Sequence, residues 1–394
     1  TQNIYSEDEL KLNYSSYVES TGWQPFVNDG ELSGTSGESK KLESIKIEIN
    51  KKTITGTVSY STHISGSGWQ NYVSDGEVAG KIGGRIEAIK IKLTGDLENE
   101  YDIYYRVHVA NVGWMAWTSN DNPAGTTGGG KRIEGIEIKL IKKGEPAPEN
   151  IGNNTEHSYL EAYWETREDG NKYYYDINGN LITSSGYTIG DVTYYFGPTG
   201  IYLGTKNLKV IDVSAHQKEI DWQQVSSSGI YGVILRIAAG CEEEDEYLSQ
   251  YIAEVKKYNI PYGIYIYSYA EDYNEGVLYA KFTQQIINKY QMNPTLGIYL
   301  DLESNIITSY MGPEEYTQVV QGFMSVIPNA HVYTYRSYAE TKLNTEYIRS
   351  YITWIAEYNS TCAYTGIYKM WQYTSTGSIP GITGDVDISI LYSF

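Results

Sequence analysis

Cysteine is scarce in this sequence: Cys241 and Cys362 are its 2 cysteines among 394 residues. That number is too small for a disulfide framework or a cysteine-rich metal site, and the sequence leaves open whether the two pair with each other. The 5 histidines show no metal-ligand spacing, so we expect neither a metal nor another cofactor. Long apolar runs are also missing, since none approaches the roughly 18 residues that a membrane span needs.

Positive charge is in deficit. The sequence has 30 Lys and Arg against 49 Asp and Glu, which gives a formal net charge of -19. This excess of negative charge disfavours nucleic acids and anionic membranes as partners, because both would repel the chain. No signal-peptide pattern precedes Thr1, so we expect a mature form or a chain exported by another route.

Tyrosine, by contrast, is abundant. The 41 Tyr stand against 5 Phe, and a tyrosine ring offers an apolar face with a polar tip, which suits sugar-binding and hydrated surfaces. Hydrophobic residues make up 41% and charged residues 20% of the chain, which is a globular composition. Because 394 residues exceed what one core usually organises, two or three domains are expected.

A Gly-Trp pair recurs three times in the first third of the chain, at Trp23, Trp69 and Trp114. Each pair precedes turn residues and an alternating strand, predicted at 42–49, 85–93 and 132–140. A unit of about 45 residues cannot bury its apolar face alone. We therefore predict a closed, pseudo-threefold all-β body of the β-trefoil or β-prism kind over residues 1–143.

These three units resemble ChW repeats, the clostridial hydrophobic repeats named for a tryptophan. Such repeats occur in triplets on secreted surface and cell-wall proteins, and the third copy here is degenerate around residues 115–117. The resemblance makes Trp23, Trp69 and Trp114 wall-binding candidates. Packing within each unit is the alternative to sugar stacking for these three rings, and it is the one we favour.

A linker and a second kind of repeat follow. Residues 144–156 carry Pro, Gly and Asn without periodicity, which predicts a linker. Residues 157–205 contain two aromatic patterns with turn residues, at 170–180 and 190–200, which predict β-hairpins. The hairpins resemble the choline-binding or cell-wall-binding repeats of wall hydrolases. Such repeats usually stack in larger numbers, so a structural spacer is the alternative.

Residues 206–394 alternate strand and helix signals, which indicates parallel β/α units. Helices are predicted at 246–258 and 275–290, with Asp221 as the N-cap of an earlier one. A full (β/α)8 barrel needs about 250 residues, so we predict a TIM-like α/β barrel with missing helices. The predicted strands lie at 208–213, 232–237, 262–267, 297–303, 331–335, 351–356, 369–373 and 386–390.

Two carboxylates end the fourth of these strands. Because side chains alternate along a strand, Asp301 and Glu303 are expected on one face, where they cannot both keep ordinary pKa values. Chemistry that needs one acid and one base uses such a pair. Asp212 and Asp387 lie in the first and last strands, and catalytic groups of such barrels collect at the C-terminal strand ends. Four acids at one mouth predict a glycosidase-type site.

The C-terminal region resembles glycoside hydrolase family 25, the Chalaropsis-type lysozymes. Asp301-Leu302-Glu303 matches the Asp-x-Glu of that family, and Val386-Asp387 matches its terminal Val-Asp. One departure is Ile388-Ser389, where the family often has Leu-Asn, which leaves the hydrogen bonding near Asp387 open. The other matching segments, in the order of the family, are 211–217 with 220–222, 263–268, 354–358 and 371–375.

The resemblance implies cleavage, with retention, of the β-1,4 bond from N-acetylmuramic acid to N-acetylglucosamine in bacterial peptidoglycan. It makes Glu303 the general acid/base, and Asp301 either the nucleophile or the residue that steadies the 2-acetamido group of the substrate. Asp212 and Asp387 would position the sugar. Substrate-binding candidates are Tyr265, Tyr267, Tyr333, Trp354 and Arg236. For the four aromatic residues, the barrel interior is the alternative to a sugar-binding groove.

Two other functions are alternatives to this one. Chitinase-type barrels also end a strand in Asp-x-Glu, but they need a further Asp where this chain has Tyr299. A non-catalytic cell-wall-binding or adhesion protein with an inactive barrel is the second. We expect a secreted or wall-associated enzyme, a host autolysin or a phage endolysin, with peptidoglycan and its associated polymers as partners.

Overall fold

The computed structural model describes residues 10–51, 53–152, 156–306 and 309–392. The chain divides into two compact units, which are described separately below. The first comprises Thr1–Glu165, Tyr174–Leu181 and Thr188–Val192, and the second Thr166–Tyr173, Ile182–Tyr187 and Thr193–Phe394. Part of the predicted linker, residues 153–155, lies outside the described residues.

The N-terminal unit is mostly β-structure with three repeats, because the same Gly-Trp and turn residues recur in each. The first repeat contains β1 (Lys11–Val18), β2 (Gly22–Trp23), β3 (Val27–Asn28), β4 (Ser33–Gly34) and β5 (Leu42–Asn50). The second contains β6 (Val58–Ile64), β7 (Gly68–Trp69), β8 (Val73–Ser74), β9 (Ala79–Gly80) and β10 (Ile86–Leu93). The third contains α1 (Asp96–Glu100), β11 (Tyr101–Val109), β12 (Gly113–Trp114), β13 (Thr118–Ser119), β14 (Ala124–Thr127) and β15 (Ile133–Lys142).

Short strands that pair with the neighbouring repeat join the three repeats into a closed ring. The two long strands of each repeat pair antiparallel, as β1 with β5, β6 with β10 and β11 with β15. A short strand of each repeat joins the sheet of the repeat before it: β9 pairs β5, β14 pairs β10 and β4 pairs β15. The third repeat is thereby tied back to the first, and the three sheets enclose one apolar core.

A buried tyrosine strengthens each junction between repeats. Tyr14, Tyr60 and Tyr105 are fully buried in the first long strand of their repeats. Each hydroxyl accepts a hydrogen bond of 3.1 Å from a backbone N–H in the preceding repeat, that of Ile138, Ile47 and Ile91, respectively. A buried N–H that lost such a partner would cost about 1–3 kcal/mol of stability.

Six short strands follow in the chain: β16 (Tyr159–Glu161), β17 (Tyr163–Thr166), β18 (Lys172–Tyr175), β19 (Ser185–Ile189), β20 (Val192–Phe196) and β21 (Tyr202–Gly204). Of these, β16 pairs in parallel with β14 of the third repeat. A two-stranded sheet contains β17 and β18, and a three-stranded sheet contains β19, β20 and β21. The predicted hairpin region 157–205 contributes residues to both compact units.

The second unit contains a closed barrel of eight strands. Its strands are β22 (Leu208–Val213), β23 (Gly232–Ala239), β24 (Tyr262–Tyr267), β25 (Ile298–Asp301), β26 (His331–Tyr335), β27 (Ile352–Ala356), β28 (Met370–Gly377) and β29 (Val386–Leu391). The helices are α2 (Trp222–Ser226), α3 (Leu248–Lys257), α4 (Tyr273–Lys289), α5 (Pro313–Val326), α6 (Arg336–Glu340) and α7 (Glu346–Arg349). Apolar side chains of strands and helices form a continuous core between them.

The last barrel strand departs from the predicted parallel arrangement. Strands β22 to β28 are parallel to their neighbours, but β29 runs antiparallel to both β28 and β22. All residues from 357 to 385 are described, and they contain no helix between β27, β28 and β29. Short loops are enough there, because an antiparallel neighbour needs no crossover helix.

The fourth barrel strand is shorter than predicted. It ends at Asp301, and Glu303 lies in the loop that follows, so the expectation of both acids on one face of a single strand is wrong.

None of the helices within the described residues has the length and apolar composition of a membrane span. Cys241 and Cys362 are free thiols.

Candidate active site

A cavity of about 310 Å³ opens at one end of the barrel. All nine barrel residues that the sequence singled out line it: the four acids, Tyr265, Tyr267, Tyr333, Trp354 and Arg236. The remaining lining residues are Val213, Ser214, His216, Gln217, Tyr335, Tyr358, Gln372 and Ser375. The three tryptophan candidates of the repeats belong to the other unit.

The strand ends bring the four acids together. Asp212 lies near the end of β22, Asp301 is the last residue of β25, and Glu303 follows two residues later. Asp387 is the second residue of β29, and because this strand runs in the opposite direction, its beginning lies at the same mouth. Asp212 and Asp387 are direct partners across the antiparallel pair. The prediction that all four acids lie at C-terminal strand ends is therefore wrong for Asp387, which lies at the beginning of β29. Asp387 nevertheless lines the same mouth as the other three acids.

Burial makes this cluster costly to ionise. Asp212 and Asp301 are only 6% and 2% exposed. Burial raises both of their pKa values well above the ordinary range, with the charge of Asp387 adding to the effect at Asp212 and that of Glu303 at Asp301. Burial also raises the pKa of Glu303 to about 7 and that of Asp387 to about 6. Four like charges cannot coexist in one small cavity, so some of these groups keep a proton near neutral pH.

One arginine faces this negative cluster. Arg236 is the only lysine or arginine among the described lining residues, and its charge lowers the pKa of Asp301 against the effect of burial. Its Nε donates to Asp245 Oδ2 at 2.8 Å. Asp245 is itself buried, and it also accepts from the backbone N–H groups of Ala215 and Tyr247. Asp245 therefore holds the guanidinium in place from outside the cavity.

A glutamine connects three walls of the cavity. Gln372 Nε2 donates to Asp212 Oδ2 at 2.9 Å. Its Oε1 accepts from the hydroxyls of Tyr333 and Tyr358, at 2.8 Å and 2.9 Å. Because two donors occupy Oε1, the amide can only present its N–H to Asp212. The sequence placed Gln372 in a matching motif but gave no sign of this bridging role.

The sequence of the barrel matches a known family. Residues 211–382 match the model of glycosyl hydrolases family 25. The barrel is a family 25 glycosyl hydrolase domain. Three segments of the other unit, 17–51, 63–95 and 108–142, match the clostridial hydrophobic W repeat, so the resemblances to family 25 and to ChW repeats are confirmed.

Lysozymes and autolysins are among the similar proteins. The autolytic lysozyme of Clostridium acetobutylicum is 25% identical over 193 residues, which cover 46% of this chain and 55% of that protein. This chain thus spans about half the length of that relative. The modular autolysin LytC from Streptococcus pneumoniae is 31% identical with a TM-score of 0.46, and the match covers 57% of each chain. The lysozyme from Streptomyces coelicolor is 20% identical with a TM-score of 0.40, covering 48% of this chain and 93% of that one.

Aromatic side chains form the floor of the family 25 cavity. Trp354 and Tyr333 are buried, with their ring centroids 4.4 Å apart. Trp354 Nε1 donates to Ser389 Oγ at 3.0 Å, so the serine that departs from the family pattern is a hydrogen-bond acceptor in this floor. Only the lining edges of these two rings are available to a ligand. Tyr335 and Tyr358, which the sequence analysis did not select, also line the mouth, and Tyr358 is exposed.

Each tryptophan of the ChW repeats lies beneath a cation. Lys46 Nζ is 4.6 Å from the ring centre of Trp23, and Lys90 Nζ is 4.7 Å from that of Trp69. In the third repeat Arg106 takes this place, at 4.7 Å from Trp114. Trp23 and Trp69 are 38% and 37% exposed, whereas Trp114 is half-buried.

Proposed function

We propose that this chain is a peptidoglycan hydrolase that cleaves the β-1,4 bond between N-acetylmuramic acid and N-acetylglucosamine. The observation that carries the proposal is a carboxyl group with a pKa of about 7, Glu303, beside the buried Asp301 in the cavity of a family 25 domain. A glycosidase needs one carboxyl group that holds its proton and another that carries a charge.

Glu303 is the proposed general acid. Because burial raises its pKa to about 7, Glu303 keeps its proton nearer to neutral pH than a free carboxyl group does, so it donates a proton to the leaving glycosidic oxygen and afterwards accepts one from the attacking water. A protonated Glu303 carries no charge and therefore does not oppose ionisation of Asp301. The positive charge of Arg236 favours that ionisation. Asp301 then acts on the other face of the sugar, either as the nucleophile or by orienting the 2-acetamido group.

The remaining polar groups hold the substrate and the two acting acids in place. Gln372 fixes Asp212, and both neighbouring acids, Asp212 and Asp387, are proposed to bind the sugar hydroxyls. The exposed ring of Tyr358 and the half-buried ring of Tyr267, both at the mouth, are suited to contact with sugar faces. The buried pair Trp354 and Tyr333 is better suited to shaping the floor.

The N-terminal unit is proposed to hold the enzyme at the bacterial wall. We assign it to the β-prism kind, because each repeat contributes a sheet of its own. The proposed domains are 1–143 for the repeats, 144–156 for the linker, 157–205 for the hairpins and 206–394 for the enzyme. Tethering of this kind raises the local concentration of the enzyme by about 10²-fold or more. The proposed location is extracellular or wall-associated.

Digestion of purified peptidoglycan, followed by mass spectrometry of the fragments, tests the activity. We expect new reducing ends on N-acetylmuramic acid, and their absence from a digest with the Glu303→Gln chain. New reducing ends on N-acetylglucosamine would refute the assigned bond. A chain that binds walls but releases no fragments would identify a non-catalytic wall-binding protein.

A further inference from the structure

The three ChW repeats carry equivalent sites, of which the chain itself covers one. Counted from the Gly-Trp motif, Trp117 in the third repeat corresponds to Tyr72 in the second and Phe26 in the first. In the third repeat residues 150–152 and 157, together called the covering segment, lie across this site. Ala116 is only 6% exposed there, whereas its counterparts Asn71 and Pro25 are exposed.

The covering segment binds through main-chain groups and a side-chain amide. The N–H of Ala116 donates to the carbonyl of His157 at 3.0 Å. The N–H of Trp117 donates to Asn150 Oδ1 at 2.8 Å. Both donors lie just after β12 in the chain, and both acceptors come from residues that follow the repeat.

Two further contacts hold the segment over the aromatic rings. Arg106 stacks on Trp114 and Trp117 and donates to the carbonyl of Ile151 at 2.5 Å. Gly152 lies directly against Trp114, since a Cβ built on it would be 2.8 Å from Trp114 Cβ. The site therefore takes polypeptide hydrogen-bond acceptors, with a small residue over the tryptophan.

The second repeat presents the same groups without a cover. Within the described residues, the N–H groups of Asn71 and Tyr72 have no hydrogen-bond partner. Trp69 is 37% exposed, and Lys90 and Lys92 lie 4.7 Å and 4.1 Å from the ring centres of Trp69 and Tyr72. Two main-chain donors, the ring of Trp69 and Lys90 are thus available to a ligand, whereas Lys92 and the hydroxyl of Tyr72 contact Asp121.

We propose that this open site of the second repeat binds a polypeptide segment of a partner protein. The occupant of the third repeat defines the chemistry: acceptors for two main-chain N–H groups and a carbonyl for a cation, with glycine over the tryptophan. The first repeat is a poorer site, because Pro25 has no N–H at the position of Asn71. A glycan that only stacked on Trp69 would not need either main-chain donor.

A synthetic peptide with the sequence of residues 147–157 is the probe, titrated into the full-length chain by calorimetry. We expect binding that Trp69→Ala weakens by about tenfold or more, as for an aromatic anchor of an interface. Asn71→Pro, which copies the first repeat, removes one N–H donor and should weaken binding by about three- to tenfold. The matched control Asn71→Ala keeps the N–H and should bind like the wild type.

The outcomes separate a peptide from a sugar ligand. Failure of the peptide to bind, or equal binding by Asn71→Pro and Asn71→Ala, would overturn the proposal. A tetramer of β-1,4-linked N-acetylglucosamine is titrated in parallel. Binding of this sugar that is lost in Trp69→Ala and unchanged in Asn71→Pro would assign the site to glycans instead. Because Asn71 is exposed, its two variants keep the test informative even if Trp69→Ala does not fold.

Discussion

Replacing Glu303 with glutamine tests both the proposed acid and the electrostatics of the cavity. Glutamine keeps the size of the side chain but has no proton to transfer. We expect turnover of peptidoglycan to fall by ~10²-fold or more, which is the usual contribution of general acid catalysis. The same substitution should make the folded barrel more stable at alkaline pH, so activity and stability are expected to change in opposite directions.

The stability gain follows from the raised pKa of Glu303. Burial raises this pKa from 4.5 to about 7, so the folded chain binds the proton more tightly than the unfolded chain does. The resulting stabilisation of the wild type is complete below the unfolded pKa and is lost as the pH rises through about 7. Glutamine has no proton to lose. Relative to the wild type it should gain roughly 2–3 kcal/mol between about pH 5 and pH 8, at about 1.36 kcal/mol per pKa unit.

Thermal unfolding of the full chain at both pH values measures this difference. For a barrel of this size the gain corresponds to about 4–12 °C in the midpoint of its transition. Asp191→Asn is the matched control, because the side chain of Asp191 is 98% exposed and its removal should give no such pH-dependent gain. A Glu303→Gln chain that remains active, or whose stability follows the wild type at both pH values, would refute the reasoning.

Further outcomes are expected from the same structure. The rate of wall hydrolysis should fall as the pH rises through about 7, because Glu303 loses the proton that it must donate; a flat alkaline limb would place the acid elsewhere. Gln372→Leu should lower kcat by about tenfold or more with little change in KM, since Asp212 loses its fixed partner; kinetics like those of the wild type would contradict this. Tyr60→Phe should destabilise the N-terminal unit by about 1–3 kcal/mol, because the N–H of Ile47 is left unpaired, while hydrolysis of soluble fragments stays unchanged. Pull-down of the Glu303→Gln chain on purified walls should survive high salt, because a net charge of -19 repels anionic wall polymers; loss of binding in salt would reveal attraction between charges.

Apolar runs located the barrel strands well. The strands at 208–213, 262–267 and 331–335 have the predicted bounds, because burial on both faces leaves a continuous apolar segment that polar residues delimit. Asp221 is the predicted N-cap, and its side chain accepts from the N–H of Gln224 at 3.1 Å. The four acids were found because each stands beside such a run.

The direction of the last barrel strand and the polar partners of the site residues could not be predicted from the sequence. An alternating or apolar pattern is the same in both directions, so nothing in residues 386–391 indicates that β29 is antiparallel. Nothing in the sequence distinguishes Gln372 and Asp245 from other polar residues, because their partners Asp212 and Arg236 reach them only in the folded barrel. Likewise, Trp114 is covered by Gly152, which follows the third repeat in the chain. These features arise from tertiary contacts.

The reversed last strand has a consequence for how this enzyme domain is used. Leu208, which begins the barrel, and Leu391, which ends its last strand, are direct neighbours across the β22–β29 pair. Both lie at the end of this pair remote from Asp212 and Asp387, and so away from the cavity. The first and last strands of the domain thus bring its two ends next to each other, far from the cavity. Recombination can append the domain to other modules, or insert it within them, without either junction crossing the catalytic mouth.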